Sequence, residues 1–199
     1  MTPAVQQKRL VLRARAADWL VKHLKWLDET GSQLNMTRLY GRALPGELVV
    51  EHVPAAYGSN YTLIAAIGLD GLHAPWVLEG ALDGDAFRIY IKEVLAPDQR
   101  SARAGLTTRR HFAARHLATH KVSGITELLA ARGARLKFLP PYSPDFNPIE
   151  RCWSKIKTYL RKAKARTVKT LLQAIKEALA TITEADILAW VKFCGFTIL

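Results

Sequence analysis

Four of the chain's nine prolines fall within ten residues of the stretch 139–153, LPPYSPDFNPIERCW. Proline fixes φ, lacks an amide proton and drives the residue before it toward extended backbone. Pro140, Pro141 and Pro144 therefore exclude helix until about Asn147. Asn147 is a favoured N-cap, Pro148 suits the first helical position, and Glu150 falls at the third. Beyond them Ile149, Trp153, Ile156 and Leu160 recur at helical spacing and form one apolar face. The chain must run through a stiff loop straight into an amphipathic helix, with Glu150 in its first turn. Two uses of Glu150 stand open. It completes an Asn-x-x-Glu capping box, or the rigid loop holds a carboxylate where chemistry needs it.

Elsewhere the pattern alternates. Segments of strand character lie at 21–27, 48–55, 61–69 and 76–82, separated by turn signals such as Gly31, Pro45-Gly46 and Asp70-Gly71. Asp83-Gly84-Asp85 starts a helix with Phe87, Tyr90, Ile91 and Val94 on one face. A helix over 121–132 and a short strand over 135–139 lead into the proline loop. Two more helices are predicted at 168–180, with Val168, Leu171, Leu172, Ile175 and Leu179 inward, and near 183–193. Antiparallel strands, then alternating helix and strand, then helices, describe an α/β fold with a mixed sheet flanked by helices.

One segment breaks the pattern. A central strand belongs between the helix ending near Ala96 and the one starting near Lys121, and such a strand should be a continuous apolar run. Residues 97–118 instead carry Arg100, Arg103, Arg109, Arg110 and Arg115 against Asp98 alone. The expectation for this segment is irregular structure.

Charge points to a partner. The 199 residues hold 29 Lys+Arg against 17 Asp+Glu, a net charge of +12 that suits a polyanion such as nucleic acid. No apolar run is long enough for a membrane span, and the charged N-terminus is unlike a signal peptide. Cys152 and Cys194 are the only cysteines, which excludes a disulfide framework and fits a reducing cytoplasm. His52, His73 and His111 have no metal-ligand spacing.

Asp28-Glu29 follow directly on the strand pattern 21–27. An acid at the C-terminal edge of such a strand sits where α/β sheets bind ligands, although Asp28 could equally start the turn through Gly31. Three blocks weigh on that choice: WLDETGSQLNMTRLYGRA (26–43), HLATHKV (116–122) and LPPYSPDFNPIE (139–150). Together with the terminal CGF (194–196) they resemble the catalytic domain of bacterial insertion-sequence transposases of the mariner superfamily. Those proteins are DDE endonucleases with a ribonuclease H-like fold.

The resemblance implies three carboxylates holding two Mg²⁺ ions for phosphodiester hydrolysis and strand transfer. It places the first acid at Asp28 and the last at Glu150, as catalytic and metal-holding residues. Aligned on His120-Lys121, the middle acid falls on Arg115, with 34 residues between it and Glu150 as in the spacing of the family. An arginine there sets a cation where divalent metals need an anion. Both flanks match while the whole segment does not, which a local reading-frame slip explains better than a point mutation, with a genuine divergent variant or an insertion as the alternatives. The expectation is a catalytic domain with little or no strand-transfer activity; the alternatives are a non-catalytic DNA-binding remnant or regulator, and a ribonuclease H-like nuclease unrelated to transposition.

Glu150, Ser154, Lys157, Arg161 and Lys164 follow 4-3-4-3 spacing, so three cations extend the line of Glu150 along its helix. Lys157, Arg161 and Lys164, with His120 and Lys121, are the candidate contacts to double-stranded DNA, whether transposon end or target. Trp26 and Trp153, beside the two acids, read as core. Residues 1–20 are expected to form a basic arm and 21–199 the catalytic domain. The helix-turn-helix modules that usually precede it in the family find no room in twenty residues. A nucleoid-associated cytoplasmic location and a homodimer complete the expectations.

Overall fold

The computed structural model describes residues 2–16, 21–55, 58–95, 110–114, 124–131, 134–141 and 143–198. Five strands form one sheet: β1 Leu24–Ser32, β2 Tyr61–Gly68, β3 Gly71–Glu79, β4 Arg110–Ala114 and β5 Ala134–Phe138, in the order β3-β2-β1-β4-β5. The β1–β2 and β2–β3 pairs are antiparallel, whereas β4 runs parallel to both β1 and β5. The helices are α1 Pro3–Ala16, α2 Gly84–Ile89, α3 Ile125–Ala130, α4 Ile149–Ala163, α5 Val168–Ala180 and α6 Glu184–Phe193. A π-helical stretch, Tyr90–Leu95, continues α2. No described helix is long and apolar enough to cross a membrane.

Alternation along the strands explains the layers. Successive side chains of a strand point to opposite faces. Trp26, Leu63, Ala65, Ile67 and Ala113 enter one apolar cluster, together with Ile149, Trp153, Leu171 and Ile187 from α4, α5 and α6. Leu27, Ile64, Ala66 and Phe112 enter the other, with Phe87 and Ile91 from α2 and its extension and Ile125 from α3. Both faces of the sheet are covered, so the central strands must be apolar on both sides, and β2 is buried throughout.

Four expectations are corrected. The segment 48–55 forms no strand; Leu48, Val49 and Val50 are exposed. Both edges of β2 are taken by β1 and β3, and strand propensity without a ladder partner does not make a strand. Strand β1 runs past Asp28 and through Gly31 to Ser32, because β2 pairs with it over that whole length. Residues 110–114 of the arginine-rich segment form a regular central strand, with Phe112 and Ala113 buried. On α5 the inward face is Leu171, Ala174, Ile175 and Ala178, while Val168 and Leu172 are exposed.

Local chemistry sets the boundaries. Asp83 caps α2 by accepting from the Ala86 amide at 2.8 Å. Thr167 and Thr183 begin α5 and α6 with capping boxes closed by Thr170 and Asp186. Chain direction reverses after α6 at Gly195, whose φ of 82° is open to glycine at little cost. That reversal brings Phe196 edge-on against Trp26 of β1, ring centroids 5.1 Å apart. The CGF block thus ties the last helix to the first strand.

One buried cation is neutralised away from the acids. Lys25, 5% exposed, donates to both Asp70 oxygens at 2.9 Å and lies 2.6 Å from His73 Nε2. Burial pushes the Asp70 carboxyl up, but its bonds to His73 and Lys25 outweigh this and hold it far below the usual carboxylate range.

Candidate active site

Asp28 is fully buried at the middle of β1. On the antiparallel side its strand continues, with Asp28 opposite Ala65. On the parallel side the described pairing stops at Leu27 with Ala114. Asp28 therefore lies in mid-β1, one residue beyond the described parallel pairing and toward the C-terminal side, on which α/β sheets present ligand sites. It does not begin a turn.

The proline loop reaches this acid through Asn147. Ser143 precedes a 3-10 turn, Pro144–Phe146, in which the Phe146 and Asn147 amides bond to the Ser143 and Pro144 carbonyls at 3.2 and 3.0 Å. The Asn147 side chain, 1% exposed, donates its Nδ2 to Asp28 Oδ2 at 3.1 Å. A carboxylate oxygen can only accept, so this contact fixes which end of the amide faces Asp28. Asn147 Oδ1 is buried and has no hydrogen-bond partner among the described residues.

The capping-box reading of Asn147 and Glu150 is overturned. Helix α4 is preceded by Pro148 with no side-chain cap, and the Glu150 amide bonds to the Asn147 backbone carbonyl at 3.1 Å. The Asn147 amide group is committed to β1 instead. Glu150 stands half-buried in the first turn of α4, three residues after the group that grips Asp28. Behind it Ile149, Cys152, Trp153, Ile156 and Leu160 anchor the helix in the core, each large apolar side chain contributing roughly 1.5–3 kcal/mol by its burial. Trp26 and Trp153, beside the two acids, are core residues as expected.

Arg115, His120 and Lys121 lie outside the described residues. The sequence places Arg115 directly after Ala114, the partner of Leu27. Among the described residues, no three His, Cys, Asp or Glu side chains gather into a metal-holding group.

The cationic stripe is shorter than its spacing suggests. Lys157 and Arg161 are half-buried and line an open groove of about 520 Å³ with Gly31, Gln33 and Asn60, beyond Asp28 along β1. Lys164 is the left-handed C-cap of α4, with φ 49°, and pairs with Glu51. Its turn out of the helix and its acid partner remove it from the line. On another face of α4, Lys155 donates to the Thr181 carbonyl at 2.8 Å and to Asp186 at 2.7 Å.

A buried strand acid tied to a glutamate-bearing helix, on a mixed sheet with helices on both faces, defines a carboxylate-site α/β domain. The pattern of the DDE superfamily endonucleases matches residues 23–172, and the chain belongs to that family. No curated protein matches its sequence. Among solved structures, the Mos1 transposase paired-end complex with left transposon end aligns at TM-score 0.79 and 13% identity, over 96% of this chain and 59% of that one. The Mos1 mariner paired-end complex with Mn aligns at 0.80 and 14%, over 98% and 61%. The separate catalytic domain of Mos1 mariner transposase aligns at 0.64 and 12%, over 96% and 87%. The fold is thus the ribonuclease H-like one of that catalytic domain, and the chain spans about three-fifths of the longer Mos1 chains.

Two features were missed in the sequence. Asn147 read as a cap because its spacing to Glu150 satisfies that motif, and nothing local announces a partner 119 residues away. Arg9, which grips the proline loop, was one cation among many in a basic arm.

Proposed function

We propose that this chain is a transposase catalytic domain that keeps two of three metal-holding carboxylates, Asp28 and Glu150, and has little or no strand-transfer activity. The observation that carries the proposal is the Asn147–Asp28 hydrogen bond, which joins the strand acid to the loop delivering Glu150. Mos1 structures include complexes with Mg, with Mn and with a transposon end, and a strand transfer complex. These support a divalent metal and DNA as partners here.

The donor set suits one hard cation. Mg²⁺ takes one or two protein carboxylates and fills its octahedron with water and phosphate oxygens. Asp28 and Glu150 would supply the carboxylates, and Asn147 Oδ1, without a partner among the described residues, is a further oxygen acceptor beside them. A bound ion would supply Lewis-acid stabilisation of charge on the phosphodiester oxygens. The protein's own part is to keep Asp28 dry and oriented, to hold Glu150 on a rigid helix start, and to seat the DNA backbone along Lys157 and Arg161. The pair of ions lacks its third acid, since Arg115 follows β4 where the family resemblance puts an aspartate. Residues 21–199 form the catalytic domain in this proposal, and residues 1–20 an arm.

Calorimetric titration with Mn²⁺ and a Mn²⁺-dependent nicking assay test it together. Weak binding that Glu150→Ala abolishes, with no nicking, is the expected result. Arg115→Asp should tighten binding by completing the acid set. Nicking or joining by the unaltered chain that disappears in Glu150→Ala would overturn the inactivity. Failure to detect any Glu150-dependent binding would overturn the metal site. The Lys157–Arg161 groove would then favour the second reading, a DNA-binding protein without chemistry.

A further inference from the structure

Helix α1 is bonded to the proline loop. Arg9 Nη1 and Nη2 donate to the two oxygens of Asp145 at 2.9 and 2.7 Å, and Nη1 also donates to Ser143 Oγ at 3.0 Å. The Arg9 and Arg13 guanidinium groups lie over the Phe146 ring at 5.3 and 5.8 Å. Leu12, one turn on, is buried in the same apolar cluster as Phe146. Three consecutive non-proline contacts of the loop, at Ser143, Asp145 and Phe146, are thus held from one helix.

The loop needs an outside hold. Prolines at 140, 141, 144 and 148 have no amide protons, so the segment cannot anchor itself through a backbone ladder. Among the described residues its own ties are one 3-10 turn and the Ser143 Oγ bond to the Pro141 carbonyl at 3.3 Å. A guanidinium suits this task, because its planar fork meets a carboxylate at two points and fixes direction as well as distance.

We propose that Arg9 is a positioning residue and α1 a latch. While α1 is docked, Arg9 holds the turn Pro144–Phe146 and so sets the place of Asn147 against Asp28 and of Glu150 in the first turn of α4. Undocking α1 loosens that turn and releases both. The latch makes the geometry of the two acids answer to the segment ahead of the sheet. This inference rests on the reading of Asp28 and Glu150 as metal-holding residues, but its primary test does not.

Amide hydrogen exchange of the whole chain is the test, because the Phe146 and Asn147 amides close the turn and report its opening. Arg9→Ala should speed exchange at those two amides about tenfold and leave the amides of α5 unchanged. Arg9→Lys, which keeps the charge and loses the fork, should give an intermediate rate and covers the case in which the alanine variant folds poorly. Asp145→Arg alone should behave like Arg9→Ala, and the charge swap Arg9→Asp with Asp145→Arg should restore most of the protection. Unchanged exchange at Phe146 and Asn147, or acceleration spread equally over α5, would overturn the latch in favour of plain stabilisation. Mn²⁺ titration of the same variants separates the two ideas. If the unaltered chain binds no Mn²⁺ the site reading fails, while the exchange result still decides the latch.

Discussion

Replacing Lys157 and Arg161 together by alanine should flatten the salt dependence of DNA binding. The two residues are four apart on α4, about 6 Å along the helix axis, so they face the groove beside β1 in succession. Among the described residues neither is tied to an acid, unlike Lys155 with Asp186 and Lys164 with Glu51. Each phosphate neutralised by a cation releases counterions worth a slope of about 0.9 in the logarithm of affinity against that of salt. Losing two contacts should lower the slope by about 1.8. Over a tenfold drop in salt from about 1 M, that is roughly a 60-fold loss of affinity at 0.1 M. Fluorescence anisotropy with a short labelled duplex, titrated across a salt series, measures it directly. Lys155→Ala should leave the slope alone, and Lys164→Ala should change it by less than one full contact. An unchanged slope in the folded double variant, or an equal fall in Lys155→Ala, would refute the placement of DNA in this groove.

Asp186 and the cysteines supply two further tests. Asp186 accepts from Lys155 and closes the capping box of α6, so Asp186→Ala should cost about 1–2 kcal/mol in urea unfolding at pH 7. The Lys155 bond, then the Thr183 backbone amide, hold its carboxyl below the usual value. Its contribution is therefore complete above about pH 4 and lost as pH falls through the depressed folded value, so the variant and the parent should converge in acid. A difference that stays constant down to about pH 2.5 would contradict that assignment. Burial pushes the Cys152 thiol up to about 12 and the Cys194 thiol to about 11, so both should react with a thiol reagent only as fast as the chain opens. Rapid labelling of the native protein, followed by mass, would show that the packing of α4 and α6 is looser than described.

Much of the architecture is written in local pattern. The short apolar run at 61–67 between turn signals and the helical spacing from 149 to 160 and from 168 to 179 are patterns of neighbouring residues, so strands and helices follow from nearby sequence. The proline block excludes helix before Asn147 by stereochemistry alone, and the placing of Glu150 in a first helical turn needed nothing more. The family blocks around Asp28 and Glu150 were legible for the same reason, being short and contiguous. The extent of β1, the failure of 48–55 to form a strand and the strand at 110–114 were not, because each depends on which neighbours complete its hydrogen-bond ladder. Asn147 shows the limit most clearly. Its sequence context satisfies a helix cap, and only the tertiary structure, by bringing a buried carboxylate within 3.1 Å, directs its amide to Asp28 instead. The same holds for Arg9, whose choice of Asp145 over solvent is made by the packing of Leu12 and Phe146 in one core. Residue types and spacing determined which groups this chain owns; long-range packing decided which of them meet, since a hydrogen bond between distant residues has no local energetic signature in the chain.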